Sequence, residues 1–355
     1  MSSHHRKWIS AILACALAGQ VALAQSGGFS VDVGDILVAN YEGFSVARID
    51  PRTGNQEELG TFILPTDLAL ASDGMLYVAE LEGGIWRLDI AAGLFTPILE
   101  PGAGPASIFG IALGPQGELY VTSGADDVVY RVDPATGNAS PLAAGGSLVG
   151  VVGIDRLDEE HLVVSCSSAS TSRLVSIALA DGAQTVIASG GELDQPWGVA
   201  VHDTTIFTTA YDSRRVLQVA QGEITALAQT PGFPYGIAVD GAGNVYVGSK
   251  GQADEIRVYA PDGTWLEAFS GGWIRLAAGI EIAQIRIDPA SPLTLQSAAS
   301  VDGPFEDLPA TIDTSQQTIR TPRQPGDRFY RLRAGTTTRI TNIQLGPEEL
   351  TLRWE

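Results

Sequence analysis

The stretch that decides the fold is FGIALGPQGELYVTSGADDVVYRVDPATG, residues 109–137. It contains three short runs rich in Val, Ile, Leu and Tyr, and turns rich in Gly, Asp and Pro separate them. Runs of this kind, divided by turn residues at roughly ten-residue spacing, are typical of consecutive antiparallel strands. The stretch therefore predicts β-structure built from hairpins.

The same unit recurs along the chain. Counted on its glycine position, the copies stand at residues 67, 110, 153, 198 and 236, which are steps of 38 to 45 residues. A repeat at such a period indicates a modular architecture. Four strands in each repeat make one blade of a β-propeller, and a closed ring of blades leaves few exposed sheet edges. We therefore predict an all-β propeller.

The two ends of the repeat array complete each other. Asp35 to Gly54 matches the outer part of the unit, but no innermost strand precedes it. Ala278 to Ile282 matches only that missing strand. We predict that both segments share one blade, which closes the ring. Five whole blades and one composite blade give a six-bladed propeller, with seven blades as the alternative.

The repeat also carries a recognisable pattern, seen as Tyr235-Gly-Ile-Ala-Val-Asp240, a Gly turn and then Tyr246-Val247. This pattern resembles the NHL-repeat propellers and the related gluconolactonase (senescence-marker) and virginiamycin B lyase propellers. The resemblance covers about Asp35 to Ile282 and implies a propeller fold. Because strand and turn positions carry it, it is specific for the fold and weak for function.

In such blades the residue before the glycine opens the innermost strand, and the end of the second strand returns to the same face. We expect two rings of side chains around the mouth of the central channel. The first ring reads Thr66, Phe109, Val152, Trp197, Tyr235 and Ala278. The second ring reads Asn40, Glu80, Ser123, Cys166, Tyr211 and Ser249, followed by Tyr41, Leu81, Gly124, Ser167, Asp212 and Lys250.

Aromatic residues give the strongest signal at this mouth. Aromatic rings beside polar groups can stack a sugar ring or hold an apolar group in a fixed orientation. We predict that the mouth binds a small molecule, a glycan or a protein segment without catalysis, through Phe109, Trp197, Tyr235, Tyr211, Glu80, Lys250 and Asn40. The alternative is that the aromatic rings plug the channel and pack on each other.

An enzymatic function is the rival interpretation. The resemblance implies lactonase or lyase chemistry, for which Glu80, Tyr211 and Asp212 are the candidate acid or base groups. Gluconolactonase-like enzymes hold a divalent metal with Asn and Asp side chains at the pre-glycine positions, and Trp197 and Tyr235 occupy two of those positions here. Neither aromatic side chain supplies a suitable oxygen ligand, so we predict no metal and no cofactor.

Two further residue types bear on catalysis. The related lyases rely on histidines, and His161 and His202 are expected on turns at the face opposite the mouth. Cys166 follows a run of apolar strand residues and is expected to be a buried small residue, with no histidine placed to activate it. A third functional possibility is an interaction role for the acidic surface as a whole.

Outside the ring, residues 1–24 are typical of a signal peptide, with a basic start, a short apolar stretch and the cleavage pattern Ala22-Leu23-Ala24. A lipoprotein acylated at Cys15 is the second alternative. Residues 25–283 form the predicted propeller, and residues 284–355 read as a small β-module of sandwich type. We therefore expect a secreted or periplasmic monomer.

Charge and composition limit the partners. The chain has 21 Lys and Arg against 41 Asp and Glu, a formal net charge of −20, which argues against a nucleic-acid partner. Its two cysteines cannot form a disulfide scaffold. No second apolar run is long enough to span a bilayer, so no transmembrane segment is predicted.

Overall fold

The computed structural model of the chain describes residues 28–168, 171–251 and 254–287, together with separate strands between residues 294 and 354. The part up to residue 287 is built from short β-strands. In chain order these are β1 (Ile36–Asn40), β2 (Ser45–Ile49), β3 (Gln56–Thr61), β4 (Pro65–Leu70), β5 (Met75–Glu80), β6 (Ile85–Asp89), β7 (Leu94–Leu99), β8 (Ile108–Leu113), β9 (Leu119–Ser123), β10 (Val128–Val132), β11 (Ala139–Ala144), β12 (Val151–Arg156), β13 (His161–Cys166), β14 (Arg173–Ala178), β15 (Gln184–Ser189), β16 (Pro196–His202), β17 (Thr205–Ala210), β18 (Arg215–Ala220), β19 (Glu223–Gln229), β20 (Phe233–Val239), β21 (Val245–Lys250), β22 (Glu255–Tyr259), β23 (Trp265–Ser270) and β24 (Ala277–Ile282).

These strands form six four-stranded antiparallel sheets, which are the blades of a propeller. Blades 1 to 5 each take four consecutive strands, from β4–β7 in blade 1 to β20–β23 in blade 5. Blade 6 has the order β24-β1-β2-β3, so its innermost strand comes from the far end of the array. The predicted six-bladed propeller with a composite last blade is confirmed.

The closure of the ring is continuous along blade 6. Strand β1 pairs with β24 from Ile36 opposite Ile282 to Asn40 opposite Ala277. Beyond this sheet, Val31 and Ile287 form an isolated β-bridge and exchange backbone hydrogen bonds of 2.8 and 2.7 Å. The two ends of the array are thus held together over more than the length of one strand.

The innermost strands β4, β8, β12, β16, β20 and β24 stand side by side around the central channel. The repeat glycines permit this close approach. A Cβ atom on Gly198 would lie 2.5 Å from the carbonyl oxygen of Tyr235, and one on Gly236 would lie 2.6 Å from that of Ala278. A larger residue would push neighbouring blades apart, which explains the glycine in the repeat.

Buried hydroxyl groups link successive blades near the mouth. Thr209 Oγ1 accepts the N–H of Gly198 at 2.9 Å and donates to the carbonyl oxygen of Tyr235 in the next blade at 2.9 Å. Ser165 in blade 3 does the same between Gly153 and the carbonyl oxygen of Trp197. Because buried polar groups cost free energy when they are unpaired, these bonds fix the inner strands that carry Trp197 and Tyr235.

Apolar side chains between neighbouring sheets form the core. Between blades 2 and 3, for example, Tyr120, Val129, Val164 and Val175 pack in one buried cluster with Cys166. Cys166 has no exposed surface, and burial raises the pKa of its thiol to about 11. The expectation that Cys166 is a buried small residue is confirmed.

The two ends of the chain complete the description. Residues 1–27 lie outside the described residues, so the predicted signal peptide and its alternative at Cys15 stay predictions. Among the described residues, no helix has the length and apolar character to cross a bilayer. Seven further strands follow the propeller: β25 (Thr294–Ala298), β26 (Glu306–Asp307), β27 (Thr311–Asp313), β28 (Thr318–Pro322), β29 (Phe329–Arg333), β30 (Ile340–Leu345) and β31 (Glu349–Trp354). They pair in the orders β26-β25-β29 and β27-β28-β31-β30, and the sandwich-type module for 284–355 stays a prediction.

Candidate functional site

Five aromatic side chains pack against one another at the channel mouth. They are defined here as the aromatic cluster and comprise Phe109, Trp197, Tyr211, Phe233 and Tyr235. Trp197 lies at the centre, with ring centroids 5.9 Å from Phe109, 5.2 Å from Tyr235 and 5.9 Å from Tyr211. The contacts of Trp197 with Phe109 and Tyr235 are edge-on, a favoured geometry for aromatic rings. The rings therefore support each other in a rigid wall.

Tyr211 does not occupy the second ring, where the repeat alignment placed it. Strand β17 ends at Ala210, which pairs with Pro196 in the same way as Glu80 pairs with Pro65 in blade 1. In blades 2, 3 and 4 a hydroxyl on the second strand accepts the N–H of the repeat glycine. In blade 4 this is Thr209, 11 residues after Gly198, whereas in blades 2 and 3 the hydroxyl comes 12 residues after the glycine. Blade 4 thus has a connection one residue shorter, so Tyr211 corresponds to Lys250, and Asp212 lies one step further out.

A stack of planar groups leads outward from the centre of the mouth. The ring of Tyr211 stacks on Phe233 with centroids 4.8 Å apart and planes 26° apart. The guanidinium carbon of Arg214 lies 4.4 Å from the centroid of Phe233. A cation over an aromatic face is attracted by the electron density of the ring, so Phe233 holds Arg214 in a defined position.

The two phenol groups of the aromatic cluster meet at the edge of this wall. Tyr235 Oη and Tyr211 Oη lie 3.4 Å apart. Burial, followed by the hydrogen bond with Tyr211, raises the pKa of Tyr235 above its ordinary value. Tyr235 therefore keeps its proton at neutral pH and remains a hydrogen-bond donor.

These groups line an open pocket between blades 4 and 5, which we call the mouth pocket. Its volume is about 850 Å³. Its lining combines phenols, Phe233 and charged side chains with the backbone of the blade connections. The residues are Tyr211, Arg214, Pro231, Gly232, Phe233, Tyr235, Lys250, Gly251, Glu255 and Arg257.

Two of the three cations of the mouth pocket already have carboxylate partners. Lys250 Nζ pairs with Glu42, a rim residue of blade 6. Arg257 Nε pairs with Glu255 Oε1 at 2.7 Å. Among the described residues, no carboxylate lies within ion-pair distance of Arg214.

Glu80 and Asn40 lie in the protein interior, apart from the mouth pocket. Glu80 is only 2% exposed, and it accepts the N–H of Ile63 at 2.6 Å and the indole N–H of Trp86 at 3.0 Å. Burial raises the pKa of Glu80, and these two bonds oppose that shift. Asn40 has no exposed surface and accepts the backbone N–H of Arg275 at 3.2 Å. Both side chains hold blade connections in place.

Asp212 lies at a different cavity. It accepts a hydrogen bond from Gln195, and both residues line a pocket of about 610 Å³ between blades 3 and 4. Of the cavities described, none is lined by more than one of the three candidate acid or base groups, Glu80, Tyr211 and Asp212. The structure does not bring these three groups together.

The channel is narrow directly beneath the aromatic cluster. Phe109 and Trp197 cover a cavity of about 20 Å³, which the repeat glycines and Ala278 also line. A volume of this size holds about one water molecule. The mouth pocket shares none of its lining residues with this small cavity, so it is a separate pocket at the rim.

The opposite end of the channel opens into a cavity of about 680 Å³, and four carboxyl groups line it, those of Asp67, Asp155, Asp240 and Glu281. Three of them accept the backbone N–H of a neighbouring blade. Asp67 Oδ2 accepts the N–H of Ile111 at 3.0 Å, and Asp155 Oδ2 accepts that of Val201 at 2.7 Å, each in the next blade. Glu281 likewise accepts the N–H of Leu70 in blade 1.

Burial raises the pKa values of these three carboxyl groups. It raises the pKa of Asp67 and of Glu281 to about 8 and that of Asp155 to about 6, and the repulsion among the three carboxylates adds to the shift of Glu281. The three residues are half-buried: each keeps part of its surface exposed to the cavity, and protein surrounds the rest. We refer to them as the carboxylate trio.

Neither histidine lies at the mouth pocket. His161 begins β13 and contacts Asp158 at 3.0 Å, whereas His202 ends β16 and lines the opposite cavity. Within residues 28–168, 171–251 and 254–287, no group of three or more His, Cys, Asp or Glu residues is arranged to hold a metal ion.

Several residues of these two sites were not predicted from the sequence. Arg214 lies on the connection between β17 and β18, Arg257 lies on the third strand β22, and Phe233 opens the innermost strand β20 two residues before Tyr235, so all three fall outside the two predicted rings. A sequence signal for the carboxylate trio does exist. Asp67 replaces the repeat glycine, and Asp155 and Glu281 each stand two residues after it, where the other blades have alanine.

Comparisons with known proteins support the fold alone. No protein-family model matches the sequence, and no curated protein matches it. Among 1341 matching solved chains, one in the crystal structure of a nidogen/laminin complex has a TM-score of 0.62 at 17% sequence identity. The match covers 69% of this chain and 97% of that chain. The protein is thus similar in its propeller architecture to that chain of the nidogen/laminin complex.

Proposed function

We propose that the protein binds a small ligand, or the end of a glycan, at the mouth pocket without transforming it. The observation that carries the proposal is that Tyr211, Tyr235 and Lys250, three of the residues predicted from the sequence, line one pocket of about 850 Å³. This volume falls within the roughly 300–1,000 Å³ that is common for small-molecule sites.

The rigidity of the aromatic cluster supports this proposal. Each ring is held by at least one other ring, and the inner strands that carry Trp197 and Tyr235 are fixed by buried hydroxyl groups. A wall whose side chains are already ordered loses little conformational entropy when a ligand binds. The pocket presents phenol hydroxyls and cations, which are suited to orienting a polar ligand.

The location and the ligand class of this binding protein can be proposed further. The signal peptide predicted at residues 1–24 supports the proposal that the protein is exported. A chain of similar fold occurs in a complex of nidogen with laminin, so a protein segment is the other ligand class to test.

The proposal is tested by a thermal-shift screen of neutral sugars, acidic sugars, lactones and peptides, followed by calorimetric titration of each hit. We expect Tyr211→Ala to weaken binding of the true ligand about tenfold or more, because a phenol and part of the wall are lost. Tyr130→Ala is the matched control, since Tyr130 lies on β10 and lines none of the described cavities. Hits that bind both variants as tightly as the wild type would place the ligand elsewhere.

A further inference from the structure

We propose that the ligand of the mouth pocket is an acidic sugar, with its anionic group at Arg214 and its hydroxyl groups at Tyr211 and Tyr235. This inference rests on the proposed function and names the ligand class for the same site. The shared chemistry is an oxyanion, either a carboxylate or a sulfate ester, carried on a polyhydroxylated ring.

Arg214 is the group that points to an anion. Its guanidinium lies over Phe233, and no carboxylate of the described residues neutralises it. The planar guanidinium presents several N–H donors in a fixed geometry, which matches the oxygens of a carboxylate or a sulfate. Phe233 occupies one face of the group, so its edge remains available to a ligand in the pocket.

The backbone does not explain why an arginine stands at position 214. Arg214 has φ = 56°, in the left-handed region that favours Gly, Asn and Asp. Blade 2 has Asp127 at the corresponding position, with φ = 55°, and its carboxylate accepts the N–H of Gly150. Asp127 thus serves the fold, whereas the side chain of Arg214 lines the mouth pocket.

The neighbouring charges strengthen this preference. Lys250 and Arg257 also line the pocket, and their partners Glu42 and Glu255 leave one unit of positive charge in excess across the five groups. The net charge of the whole chain, −20, repels anions at long range. Physiological salt screens exposed charges beyond about 8 Å, so the groups lining the pocket decide which ligand is held.

The remaining groups of the pocket favour a polyhydroxylated ligand. The phenols of Tyr211 and Tyr235 can each donate and accept a hydrogen bond. Burial and hydrogen bonding keep Tyr235 protonated. The faces of Phe233 and Tyr211 are in contact with each other and with Arg214 or Trp197, so a ligand is held by the hydroxyl groups of the rim and not by an open face of these two rings.

The test is calorimetric titration of glucuronate, glucose 6-sulfate and glucose, with inorganic sulfate as a further arm. We expect the wild type to bind one or both acidic sugars about tenfold or more tightly than glucose, and inorganic sulfate more weakly than the acidic sugars. Affinity for the acidic sugars should fall as salt rises from about 0.05 to about 0.5 M. Binding of one acidic sugar but not the other identifies the oxyanion.

Arg214→Gln and Arg215→Gln form a matched pair, because both remove one positive charge from adjacent positions. Arg215 pairs with Glu192 and does not line the mouth pocket. We expect Arg214→Gln to weaken binding of the acidic sugar about tenfold and Arg215→Gln to weaken it less than about twofold. Equal effects of the two variants, or equal affinity for glucose and the acidic sugars, would overturn the inference.

The proposed function is judged separately. If a neutral sugar or a peptide loses affinity in Tyr211→Ala but not in Arg214→Gln, the mouth pocket is a ligand site without a preference for acids. The inference is then wrong and the proposed function stands. If no ligand in the panel depends on Tyr211, both are wrong.

Discussion

The two ends of the central channel use the same six inner strands for opposite purposes. At the mouth, residues before the repeat glycine contribute Phe109, Trp197 and Tyr235, and cations lie beside them. At the other end, residues at or shortly after the glycine contribute the carboxylate trio. A shift of one to three residues along a strand therefore changes both the chemistry and the end of the channel where a side chain lies.

The difference also separates two uses of polar groups. The carboxylate trio accepts backbone N–H groups of neighbouring blades, so its oxygens are part of the closure of the ring. At the mouth, backbone groups between blades are satisfied by Thr209 and Ser165. Arg214 and the phenols of Tyr211 and Tyr235 are not used in these links and line the mouth pocket. The mouth therefore presents hydrogen-bond donors to a ligand, whereas the carboxylate oxygens at the opposite end accept hydrogen bonds that hold the blades together.

The largest effect is expected from removing the centre of the aromatic cluster. Trp197→Ala deletes a ring that contacts Phe109, Tyr211 and Tyr235, and should lower the free energy of unfolding by about 2–4 kcal/mol. Chemical denaturation measures this loss. The control is Trp265→Ala, since Trp265 is 56% exposed, and it should cost less than about 1 kcal/mol. Similar losses for the two variants would contradict the packed cluster.

The carboxylate trio at the opposite end of the channel should make the free energy of unfolding depend on pH. In the folded state the pKa is raised to about 8 for Asp67 and Glu281 and to about 6 for Asp155, while unfolded carboxyl groups titrate near 4. The folded protein therefore binds more protons between these values, so stability is greatest below the unfolded pKa and is lost as pH rises through 6 to 8. We expect a decrease on the order of 1–3 kcal/mol between about pH 5 and about pH 8.5.

Substitution isolates the carboxylate trio as the cause. The double variant Asp67→Asn, Glu281→Gln removes two of the titrating groups and should flatten the dependence of the melting temperature on pH. Asp133→Asn is the control, because hydrogen bonds from Thr136 and Ala135 lower the pKa of Asp133, which therefore titrates only at more acid pH. An unchanged slope in the double variant would show that other groups carry the pH dependence.

The fold of the propeller could be predicted from the sequence more fully than its candidate site. The period, the turn residues and the split repeat predicted six blades and their closure, because strand alternation is local and recurs in every blade and the repeat glycine recurs in five of the six. The residues of the candidate site were harder to predict. A connection shorter by one residue displaced Tyr211 from its predicted ring, and Glu80 lies in the interior with Trp86 and Ile63 as its partners. Side-chain partners that come from neighbouring connections leave no periodic signal.

The smallest effect is expected at Ser249, which we compare with Ser165, another buried serine on the second strand of its blade. Ser165→Ala removes the hydroxyl between the N–H of Gly153 and the carbonyl oxygen of Trp197, leaving two buried groups unpaired, and should cost about 1–3 kcal/mol. Ser249 Oγ is buried without a hydrogen-bond partner among the described residues, so Ser249→Ala should leave the free energy of unfolding within about 0.5 kcal/mol of the wild type or raise it. Denaturant titration of both variants measures the difference. Equal costs for the two variants would mean that the hydrogen bonds of Ser165 between blades 3 and 4 are not the source of its contribution to stability.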